Sequence, residues 1–329
     1  MIKRRVFFLI ILLCLASSGV LAQIYYSRDI SSGRTRGGRG AQSYPDQRSM
    51  GRGRGGLTNQ QFLDPRAREN LFQWDVDPEF KQDVFTFVRI AYNSGYGGMR
   101  SGRSRSYRTP YGGVSFGGTS FGGPSATDWP DSDNNFSYRL HQVTSIEVNP
   151  EPVILELTDP ELFNYPFIYI VEPGSLSLSA DEVNNLRKYL LNGGFLMLDD
   201  FWGNSEWINV YTQMKRVFPE REPVELTLEH PLFHCVFNLK EMPQIPAYTF
   251  ALRDRETLSG ITTERSDAPR AIFYGIYDDK GRMMAVICRD TDLGDGWERE
   301  GESHAYFSEF SEKKAYPLGI NIVFYAMTH

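Results

Sequence analysis

Apolar and polar positions follow two rhythms along the chain, and each change of rhythm marks an element. The first clear run is DVFTFVRIAYN, residues 83–93, whose β-branched and aromatic centre runs from Phe85 to Ile90 and predicts a strand. In NNFSYRLHQVTS, Phe136, Leu140 and Val143 fall on one stripe at helical spacing. EPVILELT predicts a strand, closed by a turn at Asp159-Pro160. PFIYIVE predicts another, and its unbroken apolar centre suits a sheet covered on both faces. SADEVNNLRKYLLNGG carries the strongest helix signal. Ser179 stands three residues before Glu182, the spacing of a capping box. Val183, Leu186 and Leu190 share a face, and Gly193 is placed to end the helix. FLMLDD then returns as a strand, so residues 167–200 read as strand–helix–strand with a right-handed parallel crossover.

Downstream, Trp207, Val210, Met214 and Val217 predict a further helix. RAIFYGIYD and RMMAVICRD predict two strands, and YPLGINIVFYAMT a final helix. The pattern as a whole predicts a doubly wound, mostly parallel α/β domain over 84–328.

Composition changes the picture at the front of the chain. Lys3, Arg4 and Arg5 precede a short apolar run ending in Val20-Leu21-Ala22, which reads as a signal peptide over 1–22 and implies export to the periplasm or cell envelope, or secretion. No later stretch is long and apolar enough to span a bilayer. Residues 23–60 are rich in Gly and Arg and hold almost nothing that can be buried, so they read as a disordered linker. Residues 61–83 form a short extension, and 95–124 a Gly/Arg-rich insertion. Up to residue 124 the chain has 18 Lys/Arg against 8 Asp/Glu, and after it 17 against 33, a division hidden in the net charge of −6. The basic segment therefore suits an envelope protein or polyanionic surface as partner, or is a plain solvated linker. Nucleic acid is set aside because an exported chain rarely meets it. Cys235 and Cys288 are either one disulfide or two buried thiols.

FTFVRIAY, DWPDSDNNFSYRLHQVTSIEV, the run from Leu157 to Asp200, EHPLF and YPLGINIVFYAMTH together resemble the DUF4159 family, a domain of unknown function. The resemblance covers about three quarters of the chain and is most specific over Leu157–Asp200. It implies a class I glutamine amidotransferase-like fold with flavodoxin-like layering, in exported or membrane-attached bacterial proteins, and brings no established catalytic residues. In amidotransferases of that fold the strand end corresponding to Leu198–Gly203 carries a cysteine. None is present here, and neither His230 nor His304 is followed two residues later by Glu, so cysteine-dependent amide hydrolysis is not expected.

Open parallel sheets bind ligands beyond the carboxyl ends of their strands. Asp199 and Asp200 stand at such an end and are candidates for a catalytic or metal-binding role, or for capping the next helix. His230, held extended before Pro231, is a candidate base or ligand and equally a structural histidine. Asp290, Asp292 and Asp295 alternate with glycines after another predicted strand. They are weak candidates for Ca²⁺ or Mg²⁺, since the spacing does not match a calcium loop. Asp128 and Trp129 are candidate ligand-binding residues, and Trp129, Trp202 and Trp297 can form a stacking platform or simply pack in the core. No cofactor is required by the sequence. The expected function is an exported ligand- or protein-binding module that performs no chemistry. The alternative is a hydrolase or related enzyme using Asp199 or Asp200 with His230 and a divalent cation.

Overall fold

The computed structural model describes residues 74–77, 83–94, 123–251, 262–300 and 303–329, and the backbone of 115–116 and 119–120. The predicted signal peptide, the 23–60 linker, and most of the 61–83 extension and 95–124 insertion lie outside the described residues.

In chain order the strands begin with β1 (Val88–Ala91) and a small antiparallel pair, β2 (Ser115–Phe116) and β3 (Thr119–Ser120). Helix α1 (Asp131–Val143) leads to β4 (Val153–Glu156) and β5 (Phe167–Val171), followed by α2 (Ala180–Leu191), β6 (Phe195–Asp199) and α3 (Gly203–Val217). After β7 (Val224–Glu225) come β8 (Ile272–Tyr277), β9 (Met283–Arg289) and the short α4 (Leu293–Glu298). A π-helical stretch, Phe307–Ala315, runs straight into α5 (Tyr316–Thr328). The sequence pattern had predicted α5 but gave no sign of the π-helical turns before it.

The main sheet has seven strands in the order β4-β1-β5-β6-β9-β8-β7. Strands β4, β1, β5, β6 and β9 are mutually parallel, and β8 runs antiparallel to both β9 and β7. The sheet is therefore mixed but mostly parallel. The hairpin from β8 to β9 supplies the exception, turning at Gly281 with a positive φ of 81°.

Alternation along the strands builds a core on each face. Phe167, Tyr169 and Val171 of β5 pack with Phe136 of α1, Trp297 of α4 and Ile322 of α5. Ile168 and Ile170 point the other way, onto Leu186 of α2 and Val210 and Met214 of α3. This is why β5 reads as a continuous apolar run. The capping box at Ser179 and Glu182 forms as predicted, with both reciprocal hydrogen bonds present. Val143, expected on the apolar stripe of α1, lies at its last position and is 36% exposed. Both cysteines are free thiols, which resolves the disulfide alternative. No helix among the described residues is long and apolar enough to cross a membrane.

Candidate metal centre

Because β5, β6 and β9 are parallel neighbours, their carboxyl ends lie along one edge of the sheet. Each ends in an acidic residue with left-handed backbone: Glu172 (φ 48°), Asp200 (φ 58°) and Asp290 (φ 59°). Asp128, in the turn before α1, has φ 62°. These four are the positive-φ residues other than glycine among the described residues. Aspartate tolerates this region better than most side chains, but glutamate has no such excuse. Strained backbone of this kind persists where the surroundings over-determine it, as they do at functional sites.

Two groups of carboxylates converge at this edge. Ligand atoms of Asp200, Glu264 and Asp292 lie within 4.8 Å of one another, as do those of Asp128, Asp295 and Glu298. Oxygen ligands of this type and number suit a hard divalent cation. Helix α4 joins the groups: Asp292 caps it by accepting from the Asp295 amide at 2.7 Å, so each group draws one residue from the same turn.

Asp199 lies beneath that turn and is fully buried. Its Oδ2 accepts from Tyr169 Oη at 3.1 Å, Leu293 N at 3.0 Å and Gly294 N at 3.2 Å, while Oδ1 has no hydrogen-bond partner. Burial pushes the Asp199 carboxyl up to about 7, against the opposing pull of Tyr169 and the amides of Asp200, Leu293 and Gly294. Asp200, 9% exposed, accepts from Trp202 Nε1 at 3.1 Å. Burial, then the neighbouring Glu172 and Glu264, drive it well above the ordinary carboxylate range. Asp292 is raised by burial and then by Asp200 and Asp295. Burial brings Glu264 up to about 7, and burial with Asp128 brings Glu298 up to about 10. Burial and mutual repulsion favour the protonated forms of these shifted acids, and a cation placed among them would oppose that.

The Asp128 turn is held from below by Arg89, a fully buried residue of β1. Arg89 donates to Thr127 O at 2.7 Å, to Ser132 Oγ at 2.9 Å, and to both oxygens of Asp133. Burial alone would depress this guanidinium; Asp133 outweighs that and holds it above its ordinary value. At the end of β9, Asp290 accepts from Gly203 N at 2.7 Å and pairs with Arg289 at 3.1 Å, so it anchors the start of α3 and belongs to neither acidic group.

The structure therefore brings together Asp128, Asp199, Asp200, Asp292 and Asp295 of the residues singled out in the sequence. It does not bring His230. That imidazole contacts Tyr277 Oη at 3.2 Å, and Tyr277 pairs with Met283 at the opposite end of β9. A seven-residue strand puts that end about 20 Å from the carboxylates. A depression of about 560 Å³ near that end, lined in part by Asp278, Arg282, Tyr325 and His329, gathers no comparable group of acids. Nor is there a tryptophan platform: Trp297 is fully buried, with its ring 4.5 Å from Phe136, and Trp202 is 3% exposed. Trp129 sits over Arg89, its ring centroid 5.9 Å from the guanidinium carbon.

His230 does make a testable structural contribution. Its Nδ1 accepts from Leu232 N at 3.2 Å, capping the turn Pro231–Phe233. Burial, then the nearby His329, lowers its affinity for a proton below that of an ordinary histidine. Stability from this cap is present above the unfolded-state value of about 6.5 and is lost as pH falls through the lower folded-state value. The expected result is that denaturant midpoints of wild type and His230→Asn differ more at pH ~8 than at pH ~5. A gap that widens on acidification would contradict this role.

Glu172, Glu264 and Glu298 were missed from the sequence. Glu172 was within reach, since it follows β5 as Asp200 follows β6. Glu264 sits in an irregular segment with no local signal. Glu298 joins the site because residues 293–298 form a short helix that the sequence pattern did not predict.

The expectation of a domain without catalysis is corrected by these two acidic groups, which give it a structural basis for metal-assisted chemistry. Residues 114–327 match the model of a domain of unknown function, DUF4159, and the chain belongs to that family. No curated protein matches the sequence.

Proposed function

We propose that this DUF4159 member is a divalent-cation-dependent enzyme, a hydrolase or a close relative of one, centred on the carboxyl edge of its parallel strands. The observation that carries the reading is the convergence of Asp200, Glu264 and Asp292 within 4.8 Å on three separate segments. An oxygen-only donor set favours Ca²⁺ or Mg²⁺ over softer metals. A cation held there would polarise a substrate oxygen and make a bound water more acidic. Asp199, raised to about 7 and with Oδ1 unpartnered, is suited to accept a proton at that oxygen. Tyr169 and the Leu293 and Gly294 amides fix its orientation through Oδ2. Under this reading the strand-end turn at Asp200 stands where the amidotransferase-like fold carries its nucleophile, with metal ligation in place of a thiol.

Calorimetric titration of the chelator-treated chain with Ca²⁺ and Mg²⁺ tests the first half. Heat of binding and a rise in melting temperature are expected, and the absence of both would sink the reading. Cation-dependent turnover of ester, phosphoester or amide chromogenic substrates, lost in Asp200→Asn, tests the second half. Turnover indifferent to chelation would reject it.

A further inference from the structure

We infer that the centre is binuclear: a second divalent cation is held by Asp128, Asp295 and Glu298, beside the first at Asp200, Glu264 and Asp292. This rests on the cation-dependent reading above and extends it. The two sets are physically continuous. Asp292 is the N-cap of α4 and Asp295 its third residue, and the two are joined by the hydrogen bond from the Asp295 amide to the Asp292 carboxylate.

Asp199 supplies the independent sign of a ligand between the sets. It is 0% exposed, and its Oδ2 is fixed on the amides of Leu293 and Gly294, the residues between Asp292 and Asp295. Its Oδ1 belongs to the same carboxylate and so lies at the same turn, yet it has no hydrogen-bond partner. A buried carboxylate oxygen without a donor costs free energy unless something positive meets it. Asp128, a half-buried residue, also carries an oxygen of this kind. Its Oδ2 is buried and unpartnered, and it lies so close to Gly294 that a Cβ there would come within 2.4 Å. Glycine at 294 therefore keeps open the space into which Asp128 reaches.

The two sets differ in their built-in positive charge. Arg299 pairs with Asp295 at 3.2 Å and with Glu298 at 2.7 Å, whereas no arginine or lysine pairs with Asp200, Glu264 or Asp292 among the described ion pairs. A guanidinium already in place competes with an incoming cation. The second cation is accordingly the weaker one, and Arg299 sets its affinity. Paired cations of this kind hold both the attacking and the departing oxygen of a displacement, which suits a phosphate ester as substrate.

The test uses the full chain, stripped of metal and titrated with Mn²⁺ by calorimetry and electron paramagnetic resonance. Expected are two ions per chain, in a tight and a weaker step, with the exchange-coupled spectrum of neighbouring Mn²⁺ ions. Glu298→Gln should weaken the second step at least roughly tenfold and spare the first, while Arg299→Gln should tighten the second step by a similar factor. A single ion, lost in Asp200→Asn, would overturn the binuclear inference and leave the one-cation reading standing. Two ions without magnetic coupling would overturn it as well. No bound ion at all would remove both. The wild-type stoichiometry and spectrum decide the matter even if a variant fails to fold.

Discussion

Replacing Asp200 by asparagine is expected to cut the response of the melting temperature to divalent cations by half or more without lowering the stability of the metal-free protein. Asparagine has nearly the same shape, tolerates the left-handed backbone that Asp200 adopts at φ 58°, and keeps an acceptor for Trp202 Nε1. What it removes is a carboxyl that feels the negative charge of Glu172, Glu264, Asp128 and Asp199. In the metal-free chain that removal is neutral or stabilising, because like charges and burial both oppose ionisation there. Toward a cation it deletes one of three ligands. Loss of a residue that merely orients a metal ligand costs about 10–100-fold in affinity, so loss of the ligand itself should cost at least that much.

At a cation concentration of about 100 times the dissociation constant, wild type should gain about 2.7 kcal/mol, or roughly 5–10 °C. A variant that binds about 10–100-fold more weakly should gain only about 0.4–1.4 kcal/mol at the same concentration. A variant that keeps the wild-type shift would remove Asp200 from the metal site.

The same experiment carries a pH dependence with a defined sign. Asp199 and Glu264 keep their protons in the folded chain up to about 7, whereas the unfolded chain releases them in the ordinary carboxylate range. Across that window the folded state binds more protons than the unfolded one, so metal-free stability falls as pH rises. Cations displace those protons, and their stabilising effect should therefore grow between pH ~6 and pH ~8.

The second large effect lies below the site. Arg89→Met is expected to destabilise the domain by about 3–5 kcal/mol, the cost of leaving one member of a buried ion pair without its partner. Arg89 and Asp133 both have side chains with no solvent exposure, so the stranded Asp133 cannot turn to water. The Thr127 carbonyl and Ser132 hydroxyl lose their donor at the same time. The double variant Arg89→Met/Asp133→Asn should recover part of the loss, because the remaining group is then neutral. Denaturant titration of the single and double variants measures this, and a single-variant loss below about 1 kcal/mol would show that the pair does not hold the turn. Since that turn carries Asp128, the single variant should also weaken cation binding at its group.

Local pattern determined much of the scaffold. The Ser179–Glu182 capping box, the apolar run of β5 and the stripe on α3 each depend on residues within one or two turns of each other, and all are present. So does the general placement of Asp199 and Asp200, which follows from a parallel strand ending where the apolar run ends. The convergence of the candidate metal ligands was decided by tertiary structure. Asp199 meets Leu293 across 94 positions of sequence, and Arg89 meets Asp133 across 44. Whether such residues touch depends on strand order and register, which place β9 beside β6 and bring their ends to one edge. The same register sends His230 to the far end, although its sequence context looked as promising as that of Asp292. Side-chain chemistry nominated the carboxylates; only the folded sheet gathers them into two close groups, against the repulsion and lost hydration that keep acids apart in an open chain.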